Sequence, residues 1–197
     1  MLAAFVRSLQ GGTSDFDAAV AKQRPLSVEA ERGRRLFSGV AQCSECHRID
    51  ADATRFSDDS YHHSGIGAAT QSKTLSQLSQ AVMTANLDAS QLGPKLLTDS
   101  AWSALGRFAV SHQPADIGAF RTPSLRNVAV TAPYMHDGSI ATLSEAVDHE
   151  IYYRGFSRGR PINLSIAERQ ALCAFLTSLT DAEYRDSATA YDGANRR

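Results

Sequence analysis

Apolar residues recur at helical spacing in several stretches of this chain, and polar residues able to cap a helix stand just ahead of them. Leu172, Phe175, Leu176 and Leu179 fall on one face of a 3.6-residue repeat. Ser165 and Glu168 precede them as a capping box, in which hydroxyl and carboxylate each satisfy a backbone amide of the first turn. This stretch reads as the closing helix of a domain. Ser27 caps a second predicted helix through Ser38, with Glu29 and Glu31 at the end where the helix dipole favours negative charge. Gly33 and Phe37 lie one turn apart on it, a spacing that lets an aromatic of the closing helix, Phe175, approach closely. Leu75, Leu78 and Val82 predict a helix over 74–87, a further helix is expected over 96–105, and the capping box Thr142 and Glu145 opens one to about Glu150.

Between these elements the pattern fades. Thr13 to Pro25 reads as a polar linker, and Asp50 to Gly67, rich in Asp, Ser and Gly, as loop. The stretch His112 to Ile140 is punctuated by Pro114, Pro123 and Pro133, and its apolar content (Phe120, Leu125, Val128, Tyr134, Met135) implies an ordered, functional loop. Leu2 to Leu9 echoes Leu172 to Leu179 with five of eight positions identical, which suggests an internal duplication. Residues 1–12 then read as the closing helix of a preceding, homologous domain, terminated by Gly11 and Gly12, with 13–26 as linker, 27–180 as the main domain and 181–197 as a tail.

Composition narrows the chemistry. The net charge of −1 with 21% charged residues excludes a nucleic-acid-binding or polybasic membrane surface. No apolar stretch approaches the roughly 18 residues of a membrane helix, and the start of the chain carries Arg7 and lacks a cleavage site. One motif then dominates: Cys43-Ser44-Glu45-Cys46-His47 is C-x-x-C-H, the attachment pattern of a c-type haem. Two thiols at this spacing reach the two vinyl groups of one porphyrin, and the next imidazole falls beneath the iron. A zinc site would need two further soft ligands at similar spacing, whereas the remaining thiol, Cys173, stands alone in a helical stretch. Because haem attachment in bacteria occurs outside the cytoplasm, a periplasmic location is expected, with the signal peptide on a missing N-terminal part.

Three further stretches complete a constellation: Gly118-Ala119-Phe120-Arg121-Thr122-Pro123-Ser124-Leu125-Arg126-Asn127, Thr131-Ala132-Pro133-Tyr134-Met135-His136-Asp137-Gly138, and the closing Ala174-Phe175-Leu176-Thr177-Ser178-Leu179. With the haem motif, they resemble the C-terminal domain of bacterial di-haem cytochrome c peroxidases and MauG-like enzymes over about residues 27–180. The resemblance implies an all-α, class I cytochrome c-like haem domain with long ordered loops. It also implies one covalent haem c that passes electrons from a small cytochrome c or copper-protein donor to a peroxide-activating haem in an N-terminal domain of the same protein. Alone, such a fragment is expected to be redox-active but a poor peroxidase. A calcium ion between the domains would take the backbone carbonyls of Thr131 and Pro133, and a homodimer is left open.

Around the haem, Arg121 and Arg126 are candidates to pair with propionates, for which a planar guanidinium is suited. His136 and Asp137 are candidates for a proton-handling pair near the cleft, with a structural turn as the alternative. The sixth iron ligand is open. Family peroxidases place a Met fourteen residues beyond the His of Pro-Tyr-x-His-Asp-Gly and MauG-like members a Tyr, whereas that position here is Glu150. A short insertion would bring Tyr152 or Tyr153 there, and Met135 and Met83 are the available thioethers. His62, in Tyr-His-His-Ser-Gly, is expected to pack near the haem; His63, His112 and His149 are expected at the surface, and Trp102 in the core. The rival readings are a free-standing mono-haem electron carrier and a haem-based sensor.

Overall fold

A computed structural model describes residues 11–50, 55–85 and 89–185. The duplicated segment 2–9 and the tail beyond residue 185 lie outside the described residues. The helix capped by Ser27 forms as α2 (Val28–Ser38), and the closing helix, capped by the Ser165–Glu168 box, forms as α8 (Ile166–Thr177). They cross where Gly33 lies, so that Phe37 meets Phe175 edge-on at 5.1 Å between ring centroids. Phe16 and Phe56 complete a cluster of four rings, each pair of neighbours in the edge-to-face arrangement that the ring quadrupole favours. Leu172, Leu176, Leu179 and Ile151 close this core.

Phe16 belongs to a helix where a linker was expected. Ser14 and Asp17 form a capping box for α1 (Asp15–Val20), and the one buried residue of that helix, Phe16, is 3% exposed. One buried aromatic is too little periodicity to announce a helix of six residues. The tail is likewise tied down at its start. Asp181, 2% exposed, accepts the backbone amides of Gly12 and Thr13, each at 2.9 Å, and the Asn127 side-chain amide at 3.0 Å.

Among the described residues the fold is mostly helical with one small sheet. Strands β1 (Tyr61–His63) and β2 (Ala119–Arg121) pair antiparallel with His62 opposite Phe120, joining two stretches expected to be loop. Three residues each are too short for alternation to show in the sequence. Between them runs a helical excursion of α3 (Ala68–Ala85), α4 (Ala89–Thr98), α5 (Ser100–Ser103) and α6 (Phe108–Ser111) around its own core of Leu75, Val82, Leu92, Leu105 and Phe108. The helix expected over 96–105 is broken at Asp99, whose carboxylate caps α5. Trp102 is only partly buried there, with the Lys95 ammonium 4.6 Å above its ring. Helix α7 (Leu143–Ser157) starts at the expected Thr142–Glu145 box but continues well past Glu150. No helix among the described residues is long and apolar enough to cross a membrane.

Candidate functional site

The C-x-x-C-H residues form a single tight turn directly after α2. Gln42 enters it in the left-handed conformation (φ 56°), Cys43–Glu45 make one 3-10 turn, and the His47 amide bonds the Cys43 carbonyl at 3.0 Å. Both thiols are free of disulfide. Burial pushes the Cys43 thiol up to about 11, opposed by the Arg154 charge, so it is a neutral thiol at ordinary pH. The His47 ring is placed by its Nδ1, which lies 2.9 Å from the Phe56 carbonyl oxygen. A carbonyl can only accept, so that contact makes Nδ1 the donor and puts the lone pair on Nε2, the tautomer of histidines that ligate a metal. Burial also holds His47 below the ordinary imidazole range, which keeps it neutral. Two free thiols and a neutral imidazole of fixed tautomer fit a c-type haem. Phe56, whose side chain sits in the aromatic core, thus ties the packing of α2 and α8 to the orientation of the imidazole.

On one side of the turn lies a pair that the sequence did not single out as such. His62 Nε2 is 2.7 Å from the Asp58 carboxylate, and both lie with the Cys46 sulfur inside a sphere of contacts below 4.8 Å. Burial alone would raise the Asp58 carboxyl, but hydrogen bonds from His62, Ser60 and Thr122 bring it down to about 2. His62 therefore packs beside the attachment turn. His63 Nε2 meets the Ile117 carbonyl at 3.1 Å. His149 is not a surface residue: it is half-buried, with Nε2 2.7 Å from the Ser64 carbonyl.

Helix α7 carries three of the candidate sixth ligands, Glu150, Tyr152 and Tyr153. Burial raises the Glu150 carboxyl, opposed by Arg154 and His149; Arg154 itself stands 3.9 Å from the Glu150 carboxylate. Tyr152 is 73% exposed and stacks on Phe156. Tyr153 lies parallel to His149 and against Gly65, where an added Cβ would come within 2.2 Å of the ring. Gly65 also has φ +72°, so two requirements meet at one residue. Met135 is half-buried with φ 72°, and Met83 is 57% exposed on α3.

The remaining candidates fall as follows. The Arg126 guanidinium makes a bidentate pair with Asp17, at 2.6 and 2.7 Å, and Arg121 pairs with Asp59 at 2.7 Å. Both guanidinium groups proposed for propionates thus hold carboxylates of the chain itself. His136 stacks on Phe120 at 3.9 Å, while the Asp137 carboxylate accepts the Ser139 amide at 3.0 Å within the turn at Gly138. Thr131 and Pro133 are exposed, on either side of the cis bond to Pro133.

No family model matches the chain. Among curated proteins it is 32% identical over 186 residues to methylamine utilization protein MauG of Methylorubrum extorquens, an alignment covering 90% of this chain and 42% of that protein. It is 34% identical over 180 residues to cytochrome-c peroxidase IdrP2 of Pseudomonas sp. strain SCT, covering 89% and 46%. The chain therefore spans less than half the length of these relatives. Among solved structures, a MauG-like protein associated with microbial copper homeostasis superposes with a TM-score of 0.63 at 28% identity, over 91% of this chain and 55% of that one. The di-haem peroxidase BthA of Burkholderia thailandensis, at 22% identity and a TM-score of 0.57 over 88% of this chain and 47% of that one, shares the fold.

Proposed function

Since this chain belongs to the MauG-like di-haem cytochrome c peroxidase family, we propose that residues 27–180 are its C-terminal, class I cytochrome c-like electron-transfer domain. When bound, a haem c supplies a one-electron redox couple at this site. The chain's own residues determine where that couple sits. Cys43 and Cys46 would anchor the porphyrin by two thioether bonds, and His47 would ligate the iron through Nε2. The single observation that carries this reading is the 2.9 Å contact between His47 Nδ1 and the Phe56 carbonyl. It fixes the imidazole tautomer beside a turn bearing two free thiols at the haem-attachment spacing, which supports a metal-ligating role for the other ring nitrogen.

In the intact protein, electrons would arrive from a small periplasmic cytochrome c or copper protein. They would leave for a peroxide-activating haem in an N-terminal domain. The exposed carbonyl-bearing residues Thr131 and Pro133 would face a calcium ion at the boundary between the two. The stacking of His136 on Phe120 and the holding of Asp137 within its own turn support a structural role for that pair.

The test is kinetic. The chain, matured with haem, is mixed with a reduced small cytochrome c and then with hydrogen peroxide. The expected result is reduction by the donor with little peroxide turnover. Rapid peroxide turnover by this chain alone would contradict the electron-transfer role.

A further inference from the structure

We infer that Arg158 is a positioning residue that braces the end of α7 against the haem-attachment turn, and so governs how firmly a side chain of α7 can hold the iron. The inference rests on the haem reading above. Arg158 follows α7 directly as its C-cap. Its Nη1 donates to the Gln42 side-chain oxygen at 2.5 Å and to Glu45 Oε1 at 3.0 Å, while Nη2 meets Glu45 Oε2. Glu45 is one of the two residues between the attachment cysteines, and Gln42 is the left-handed residue that opens their turn. One guanidinium thus grips the turn at its start and in its middle. The brace joins the segment that carries His47 to helix α7, on which Tyr153, Tyr152 and Glu150 lie five, six and eight residues before Arg158.

The two charged side chains are 43% and 47% exposed, and exposed ion pairs add little to overall stability. The consequence of this pair is therefore local. A bidentate guanidinium–carboxylate contact fixes both distance and orientation, and the distance it fixes is the one between the proximal turn and the helix of the candidate distal ligands. Weakening it leaves both segments folded but lets them part.

The experiment uses haem-loaded chains carrying the wild-type sequence, R158Q, E45Q or the charge swap E45R/R158E, with azide titrated onto the ferric form by absorption spectroscopy. Azide reports how readily the sixth position is vacated. Either single substitution is expected to tighten azide binding about three- to fivefold, the scale of an exposed ion pair, and the swap to return it toward the wild-type value. Azide binding identical to wild type in R158Q and E45Q, both retaining covalent haem and native helix content, overturns the brace. So does a swap that binds azide like the single variants. A wild-type chain without covalent haem refutes the haem reading instead, and is recognised before any azide is added.

Discussion

Gly33 and Phe175 are in contact at the crossing of α2 and α8: a Cβ on Gly33 would lie 2.8 Å from the Phe175 Cβ and 1.8 Å from the Ala171 carbonyl oxygen. The nearest obstacle is backbone, which cannot swing aside. Gly33→Ala therefore forces the two helices apart, and the four-ring cluster and the Phe56 carbonyl move with them. The expected cost is about 3 kcal/mol, at the upper end for overpacking, measured by urea unfolding.

That crossing was the most legible part of the sequence, because Gly-x-x-x-Phe, two caps and an apolar face all specify it. The attachment turn was equally plain, since its chemistry requires five consecutive residues. What stayed hidden has a common physical cause. Helix α1 holds one buried aromatic, β1 and β2 hold three residues each, and the Asp58–His62 and Arg158–Glu45 pairs depend on tertiary approach. None of these leaves a periodic trace. Asp59 and Asp17, which pair with Arg121 and Arg126, stand 62 and 109 residues away along the chain, a separation at which sequence carries no sign of pairing.

The Arg126–Asp17 pair fastens α1 to the loop of 112–140, with side chains only 15% and 18% exposed. Burial alone would raise the Asp17 carboxyl, but hydrogen bonds from Arg126 and Ser14 outweigh it and hold it below its ordinary value. A carboxyl lowered on folding contributes stability that is complete above the ordinary Asp range and is lost as pH falls through the folded value. Asp17→Asn leaves a largely buried guanidinium without its counter-charge, at an expected cost of about 2–3 kcal/mol at pH 7. The gap between variant and wild type narrows below pH 4, as unfolding curves at both pH values will show.

Asp181 joins three segments through Gly12, Thr13 and Asn127. Asp181→Ala removes the acceptor of those donors; Gly12 and Thr13 are exposed, so water replaces it there, and each lost hydrogen bond costs about 1 kcal/mol. The expected outcome is loss of about 2–3 kcal/mol in urea unfolding. Hydrogen exchange should rise first at the Thr13 and Gly12 amides.

Gly65→Ala tests the packing of Tyr153 on the loop after β1. A methyl group there strains a positive φ and strikes the phenol ring. Destabilisation of about 2 kcal/mol is expected, together with a changed near-ultraviolet circular dichroism signal from Tyr153, absent in the same comparison made on a Tyr153→Leu background.

Covalent attachment of one haem at Cys43 and Cys46 is the premise beneath all of the functional argument. Its most direct measurement is extraction of the purified chain, expressed in a host able to mature c-type cytochromes, with acidified acetone, followed by pyridine haemochrome assay of the protein pellet. One haem per chain is expected to stay in the pellet, and none in a Cys43→Ala/Cys46→Ala variant. Pigment that leaves with the solvent, or a wild-type pellet without haem, would contradict it.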